Sequence, residues 1–204
     1  MNRDEIWMTA AAVWKEDSSC LESLIHSIDR NSFIRCVETI MNCPGRIVTT
    51  GAGTSSVAAK KIAHTLACIE RPAFFLSPAD AVHGGLGAVK PDDVAIIISK
   101  GGGTAEIVNL IPPLKKKKVF ILGVTGNEAS TLARESDLLV KVKVEREADP
   151  FDLLATTSTI AVIAYFDAVC ITLMHLTGYT KEQFALIHPG GAVGEKLQQA
   201  IKSG

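Results

Sequence analysis

The chain has 204 residues, which at roughly 100 to 200 residues per domain predicts a single domain. Its 21 Lys and Arg residues against 22 Asp and Glu residues give a net charge of −1, so the chain lacks the strongly basic surface of a bulk nucleic-acid binder. Hydrophobic residues make up 47% of the chain and charged residues 21%, a balance that excludes a disordered chain.

Two helices are predicted over residues 1–43. Apolar residues recur at helical spacing over residues 6–13 and 21–28, and the pattern breaks at residues 30–32. The acidic start lacks the basic and apolar regions of a signal peptide, and the five cysteines never take a C-x-x-C spacing. We therefore expect a cytoplasmic protein with reduced thiols, with neither a disulfide framework nor a zinc knuckle.

Residues 44–150 are predicted to form a doubly wound α/β sheet. Short apolar runs without strict alternation are separated by helical stretches, which is typical of a parallel sheet covered on both faces. The predicted strands span residues 46–50, 73–76, 94–98, 119–124 and 138–142. The predicted helices span residues 55–70, a stretch from the glycine run to about 114, and a short stretch after 127. We expect a flavodoxin-like fold with five parallel strands.

Residues 151–204 are predicted to form the C-terminal helices of the same domain. The run over residues 158–176 is largely apolar and approaches the ~20 residues that a bilayer span needs. Asp167 lies at its middle, and a buried helix of a soluble protein explains the pattern without placing a carboxylate inside a membrane. Such burial in a chain of this length predicts that a second subunit covers part of the helix.

The loop after the first predicted strand has the composition of an anion site. Gly51 and Gly53 let the backbone turn tightly, and the next helix adds unpaired N–H groups and the hydroxyls of Thr54 and Ser55. The dinucleotide pattern G-x-G-x-x-G fails at Ser56, and no acid follows the second strand to hold a ribose. A small phosphate suits the loop better; the alternative is that Thr54 or Ser55 only caps the helix.

The loop after the third predicted strand repeats this composition. It carries Ser99, Lys100 and Thr104 around a run of glycines, and Glu106 follows in the next helix. Two hydroxyl-bearing turns at the carboxyl ends of neighbouring strands are expected to converge on one anion. Lys100 either adds a point charge there or extends into solvent.

Motifs along most of the chain resemble the sugar isomerase (SIS) domain. They are Gly-x-Gly-Thr-Ser at 51–55, Ser-x-x-Gly-x-Thr-Ala-Glu at 99–106 and His-Pro-Gly-Gly-Ala-Val-Gly at 188–194. The last motif, with residues 81–87 and 144–150, resembles the arabinose-5-phosphate isomerases, and the resemblance covers residues 5 to 198. Members of that group often carry a pair of CBS modules after the SIS domain, and we expect none in this chain.

The resemblance implies a set of binding and catalytic residues. Phosphate and substrate binding is implied for Gly53, Thr54, Ser55, Ser99, Lys100, Thr104 and His83. Catalysis is implied for Glu106, Glu147 and His188. No cofactor is expected, and no metal, because the His, Asp and Glu residues lack ligand spacing.

The implied reaction is interconversion of an aldose and a ketose phosphate through an enediol. A carboxylate that is partly shielded from water, with its pKa raised towards neutrality, can remove the proton next to the carbonyl. A histidine that titrates near neutrality can move protons on the oxygens. The alternative from another class is a non-catalytic sugar-phosphate sensor that acts through a partner.

Each of these residues also has a purely structural interpretation. Glu106 in the first turn of a helix favours the helix dipole, and Glu147 lies in a charged run typical of a solvated loop. His188 before Pro-Gly-Gly fits a turn, and a structural role is open for His83 as well. We expect a homotetramer or homodimer in which His188 reaches the site of a neighbouring subunit.

The first loop departs from the arabinose-5-phosphate isomerases at one position. Those proteins usually have a lysine where this chain has Thr54, so the first loop loses a cation. Lys100 in the second loop is the residue that could replace that charge. Which sugar phosphate fits the site stays open among pentose, hexose and heptose phosphates.

Overall fold

The computed structural model describes residues 2–190 and Gly194, and the rest of the predicted C-terminal helical region, 191–193 and 195–204, lies outside the described residues. The strands are β1 (Ile47–Gly51), β2 (Ala73–Phe75), β3 (Val94–Ile98), β4 (Phe120–Thr125) and β5 (Leu138–Lys141). The helices are α1 (Arg3–Ser27), α2 (Arg30–Met41), α3 (Thr54–Ala67), α4 (Pro78–Ala81), α5 (Ala105–Val108), α6 (Ile111–Lys116), α7 (Thr131–Glu135), α8 (Thr157–Thr177) and α9 (Lys181–Ile187), with a 3-10 turn at Gly85–Ala88.

The five strands form one parallel sheet in the order β2-β1-β3-β4-β5. This is the flavodoxin-like order, and the predicted fold class is confirmed. The chain reverses direction across the sheet between β1 and β3, so the loops after these two strands lie side by side. That reversal is where an open α/β sheet binds its ligands.

Alternate residues of the strands pack into two separate apolar layers. Ile96 and Ile98 face a layer formed with α2, α3 and α8. Ala95 and Ile97 face a second layer formed with α5, α6 and α7. Both faces are therefore covered, which explains why the strands lack the alternation of a half-exposed sheet.

Two predicted helices end at other residues in the structure. The break between the N-terminal helices lies at Ile28 and Asp29, earlier than predicted, because the Asp29 carboxylate accepts a hydrogen bond from the backbone N–H of Ser32 and starts α2. The helix expected to reach about 114 is divided into α5 and α6. Pro112 has no N–H to continue α5, and it occupies the first turn of α6 instead.

Helix α8 is long and apolar enough to cross a bilayer by length and composition alone. Ala161, Phe166 and Val169 on one of its faces are buried in the apolar layer. Asp167 in its middle forms an ion pair with Lys61 of α3. The helix therefore packs as a core element of the domain along this face, and the charge at its centre is paired.

Candidate functional site

The first loop presents its hydroxyls at the start of α3 without using them as a cap. Gly53 is the residue that precedes the helix, with φ of +55°, and no side chain caps this end. The alternative that Thr54 or Ser55 caps the helix is therefore wrong. Ser55 is half-buried and lines a cavity, whereas Thr54 is exposed.

The second loop is ordered around the hydroxyl of Ser99. This side chain is buried, and its Oγ lies 3.1 Å from Oγ1 of Thr104 and accepts a 3.1 Å hydrogen bond from the backbone N–H of Gly102. Gly102 has φ of +66°, a conformation that favours glycine. Two of the predicted phosphate-binding residues are thus brought together at the carboxyl end of β3.

Four of the predicted residues line two different depressions. Ser55 and Lys100 line a cavity of about 40 Å³ with Ser158 of α8, which has room for water but not for a sugar. Gly53 and Glu106 line a wide, open depression of about 560 Å³. The first turn of α3 supplies Ser55 to the small cavity and Ser56 to the open depression, so the two lie on either side of this turn.

Glu147 is buried completely, although the sequence pattern favoured a solvated loop. Its carboxylate accepts hydrogen bonds from Nζ of Lys100 at 2.7 Å, from the backbone N–H groups of Thr156 at 2.9 Å and Ser158 at 3.0 Å, and from both their hydroxyls. Its own N–H donates to Asp152 at 2.6 Å. The solvated-loop interpretation is wrong for this side chain.

These contacts lower the pKa of Glu147 instead of raising it. Burial alone would raise the pKa, but the hydrogen bonds from Lys100, Ser158 and Thr156 outweigh burial and lower it to about 2. The expected carboxylate with a pKa near neutrality is therefore not Glu147. At neutral pH this side chain is an ionised, fully hydrogen-bonded anion.

Glu106 and His83 are both exposed. Glu106 is in the first turn of α5, two residues after Thr104, and its carboxylate borders the open depression. His83 follows α4 in the loop after β2, and its backbone N–H donates to the carbonyl of Asp80. Both are accessible to a ligand or to another subunit.

His188 follows α9, a helix that is anchored away from the first loop in its own chain. Helix α9 is anchored where α3 ends: Gln183 donates to Glu70 at 3.1 Å, and Tyr179 donates to the carbonyl of Cys68 at 3.1 Å. Because α3 has 14 residues and is about 21 Å long, this anchor lies at the end of α3 that is away from the first loop. Nδ1 of His188 donates to the carbonyl of Phe184 at 2.9 Å, so Nε2 is the acceptor of the neutral ring.

Sequence reasoning did not identify Thr156 and Ser158 as part of the site. They complete the shell of Glu147, and the hydroxyl of Ser158 also borders the cavity beside Lys100. The run Thr156-Thr157-Ser158 directly before an apolar helix was the signal available in the sequence. Among residues 2–190 and Gly194, no group of three or more His, Cys, Asp or Glu side chains is placed to hold a metal.

Comparison with protein families and known structures gives consistent matches. The SIS domain model matches residues 40–171. Arabinose 5-phosphate isomerase KdsD of Escherichia coli K12 is 42% identical over 181 residues, which cover 89% of this chain and 55% of that protein, and KpsF of E. coli CFT073 is 38% identical over 182 residues. The chain thus spans about half the length of the curated relatives it matches.

Two solved structures match nearly the whole chain. One is a Listeria monocytogenes protein assigned to the sugar-phosphate isomerases, with a TM-score of 0.92 and 48% identity, covering 93% of this chain and 100% of that one. The other is an E. coli CFT073 protein in complex with arabinose 5-phosphate, with a TM-score of 0.89, 35% identity and the same coverage.

Proposed function

Because the chain belongs to the SIS domain family, we propose that it binds a sugar phosphate and isomerises it between aldose and ketose forms, as an arabinose-5-phosphate isomerase does. The observation that carries this proposal is the pair of hydroxyls on Ser99 and Thr104, 3.1 Å apart, in the loop at the carboxyl edge of the sheet that also carries Lys100. Hydroxyls and a cation at such an edge are suited to a phosphate. The complex of the E. coli relative with arabinose 5-phosphate supports the substrate class.

Glu106 is the base in this proposal. It is an exposed carboxylate beside the open depression, so a bound sugar can reach it, whereas the oxygens of Glu147 are occupied. The base takes the proton from C2 of the open-chain aldose, and the electron pair forms the enediol. Return of that proton to C1, with transfer of the hydroxyl proton from O2 to O1, completes the ketose.

A neighbouring subunit completes the site. His188 follows α9, which is anchored at the end of α3 away from the first loop, so in this proposal the imidazole that moves protons on the sugar oxygens comes from another copy. His83 is exposed after α4, and in this proposal it contributes to binding. We accordingly propose a cytoplasmic homotetramer as the working form.

The test is solvent-deuterium exchange into sugar phosphates, with a melting-temperature assay for binding. Incubation with pentose, hexose and heptose phosphates in D₂O should place deuterium at C1 or C2 of the substrate. Phosphate esters should raise the melting temperature, and the free sugars should not, because a ligand stabilises the state that binds it. Ser55→Ala combined with Ser99→Ala should remove most of this increase, and Thr131→Ala on α7 is the control.

The alternative, a sugar-phosphate sensor, gives a different pattern. A sensor would show the increase in melting temperature but no deuterium in any sugar phosphate. An unchanged increase in the double variant would show that the two hydroxyls do not bind the phosphate.

A further inference from the structure

The carboxylate of Glu147 has no position left for a substrate proton. Its side chain is 0% exposed, and its two oxygens accept five hydrogen bonds, against about four lone-pair positions on an ionised carboxylate. A general base must lie within hydrogen-bond reach of the proton that it removes. Glu147 would have to break this shell and open to the ligand before it could act in that way.

The side chain of Lys100, unlike that of Glu147, is accessible and has donors to spare. Its side chain is 51% exposed and lines the cavity beside Ser55, and only one of its three N–H donors is used by Glu147. Its backbone carbonyl accepts hydrogen bonds from Oγ1 of Thr125 at 2.9 Å and from the N–H of Gly126 at 3.1 Å. The backbone of this residue is therefore fixed, while its side chain is half exposed and lines the same small cavity as Ser55.

The ion pair is not needed to satisfy the carboxylate. Four of the five donors to Glu147 come from Thr156 and Ser158, and these remain when Lys100 is removed. A free lysine side chain samples many rotamers, and a buried anion that holds its ammonium at 2.7 Å selects one direction. The ion pair therefore contributes more to fixing the position of the Lys100 ammonium than to satisfying the buried carboxylate of Glu147.

We propose that Glu147 is a positioning residue, which holds the ammonium of Lys100 beside Ser55 so that the ammonium binds an anionic oxygen of the sugar phosphate. This inference rests on the proposed function for the identity of the ligand. Lys100 then supplies from the second loop the cation that the first loop lacks at Thr54. Glu147 acts on the substrate only through Lys100.

A double-mutant cycle tests this assignment. Lys100→Met keeps most of the stem and removes the charge, and Glu147→Gln keeps the shape of the carboxylate and removes its charge. Both variants and their combination are assayed for the Kd of D-arabinose 5-phosphate and for deuterium exchange in the best substrate of the panel. Lys115→Met, which breaks an exposed ion pair with Glu135 on the other face of the sheet, is the matched control.

Lys100→Met should weaken binding or slow exchange by a factor of about 10² to 10³, the effect of losing one preorganised donor. Glu147→Gln should show a smaller loss of the same kind. The two losses should not add: in the Lys100→Met background, Glu147→Gln should change Kd and exchange by less than about threefold. Lys115→Met should behave like the parent.

Two results would overturn the assignment. Loss of exchange in Glu147→Gln in both backgrounds, with Kd unchanged, would make Glu147 the base. A Lys100→Met variant that binds and exchanges like the parent would remove the role of the ammonium, and this variant serves as the test even if Glu147→Gln does not fold.

Failure of the proposed function would give different results from failure of the positioning role. A parent protein that binds D-arabinose 5-phosphate but exchanges no sugar phosphate is not an isomerase, and non-additive losses in Kd would still support the positioning role. A parent protein that neither binds nor exchanges any member of the panel contradicts both proposals.

Discussion

Three glycines follow Lys100, and only at the middle one do the backbone conformation and the neighbouring atoms require a glycine. Gly102 has φ of +66°, and its N–H donates to the Ser99 hydroxyl that faces Thr104. A Cβ atom at Gly102 would lie 2.1 Å from Oγ of Ser130, whereas a Cβ atom at Gly101 meets nothing within 4 Å. At the scale of single residues, one backbone position therefore fixes the hydroxyl of Ser99 that we propose binds the phosphate.

Gly102→Ala should destabilise the protein by about 2 to 4 kcal/mol, since the left-handed conformation and the overlap with Ser130 both cost free energy. Ser130 cannot move without loss of its hydrogen bond to the N–H of Ala133, which caps α7. Urea unfolding gives the free energy, and Gly101→Ala should stay within about 0.5 kcal/mol of the parent. Equal effects at both positions would contradict this explanation.

At the scale of elements, the start of α8 depends on a residue outside the helix. No side chain of its own caps this end, and the backbone N–H groups of Thr156 and Ser158 donate to Glu147 instead. A carboxylate at this end also favours the helix dipole. A second contact, from the hydroxyl of Thr157 to Asp17 at 2.8 Å, joins the same turn to α1.

This dependence makes the stability contributed by Glu147 sensitive to acid. Its pKa is about 2 in the folded protein against an ordinary value of 4.5, so the contribution is complete above about pH 4.5 and is lost as the pH falls towards 2. At about 1.4 kcal/mol per pKa unit it is on the order of 3 kcal/mol.

Urea unfolding of the parent and of Glu147→Gln at several pH values measures this contribution. The difference between their free energies of unfolding should shrink as the pH falls from about 5 to 2. Glu128→Gln, which alters an exposed ion pair with Lys141, is the control and should show only a small difference. A difference for Glu147→Gln that is constant over this range would rule out an acid-sensitive cap.

At the scale of the whole molecule, one surface exposes several large apolar side chains. Helix α1 buries none of its residues, and Trp7 and Trp14 are 62% and 58% exposed. The loop with Phe151 and Leu153 adds side chains that are 78% and 81% exposed, and a depression joins it to α1. Large exposed apolar patches mark protein interfaces, so this surface favours association with further copies of the chain.

Association and sharing of the site can be tested together. Light scattering at micromolar concentration should give an oligomer, and a monomer would contradict the assembly. Glu106→Gln and His188→Ala subunits, each inactive alone, should recover partial exchange activity after mixing only if each site takes Glu106 from one subunit and His188 from another. Mixing Glu106→Gln with Ser99→Ala, two residues of the same loop region, should recover less.

The sequence by itself determined the local elements and the class of fold. Apolar runs and glycine-rich turns depend on neighbours in the chain, so the five strands were predicted to within a residue or two, and β3 without error. The loops with Ser55 and Ser99 were also identified from the sequence, because their glycine and hydroxyl residues are close together in the chain. Two parts of the sequence analysis stay predictions. They are the division of the chain into a sheet core and helical segments, and the roles of the site residues.

Only the tertiary structure decided what Glu147 contacts and how the site is divided. Its ion pair joins residues 47 positions apart, and four more donors come from a helix start that follows it by 9 to 11 positions. The periodicity of the sequence does not predict such contacts, because they form between residues that only the tertiary structure brings together. For the same reason, the placement of α9, which His188 follows, depends on packing against the end of α3 and not on the motif that contains His188.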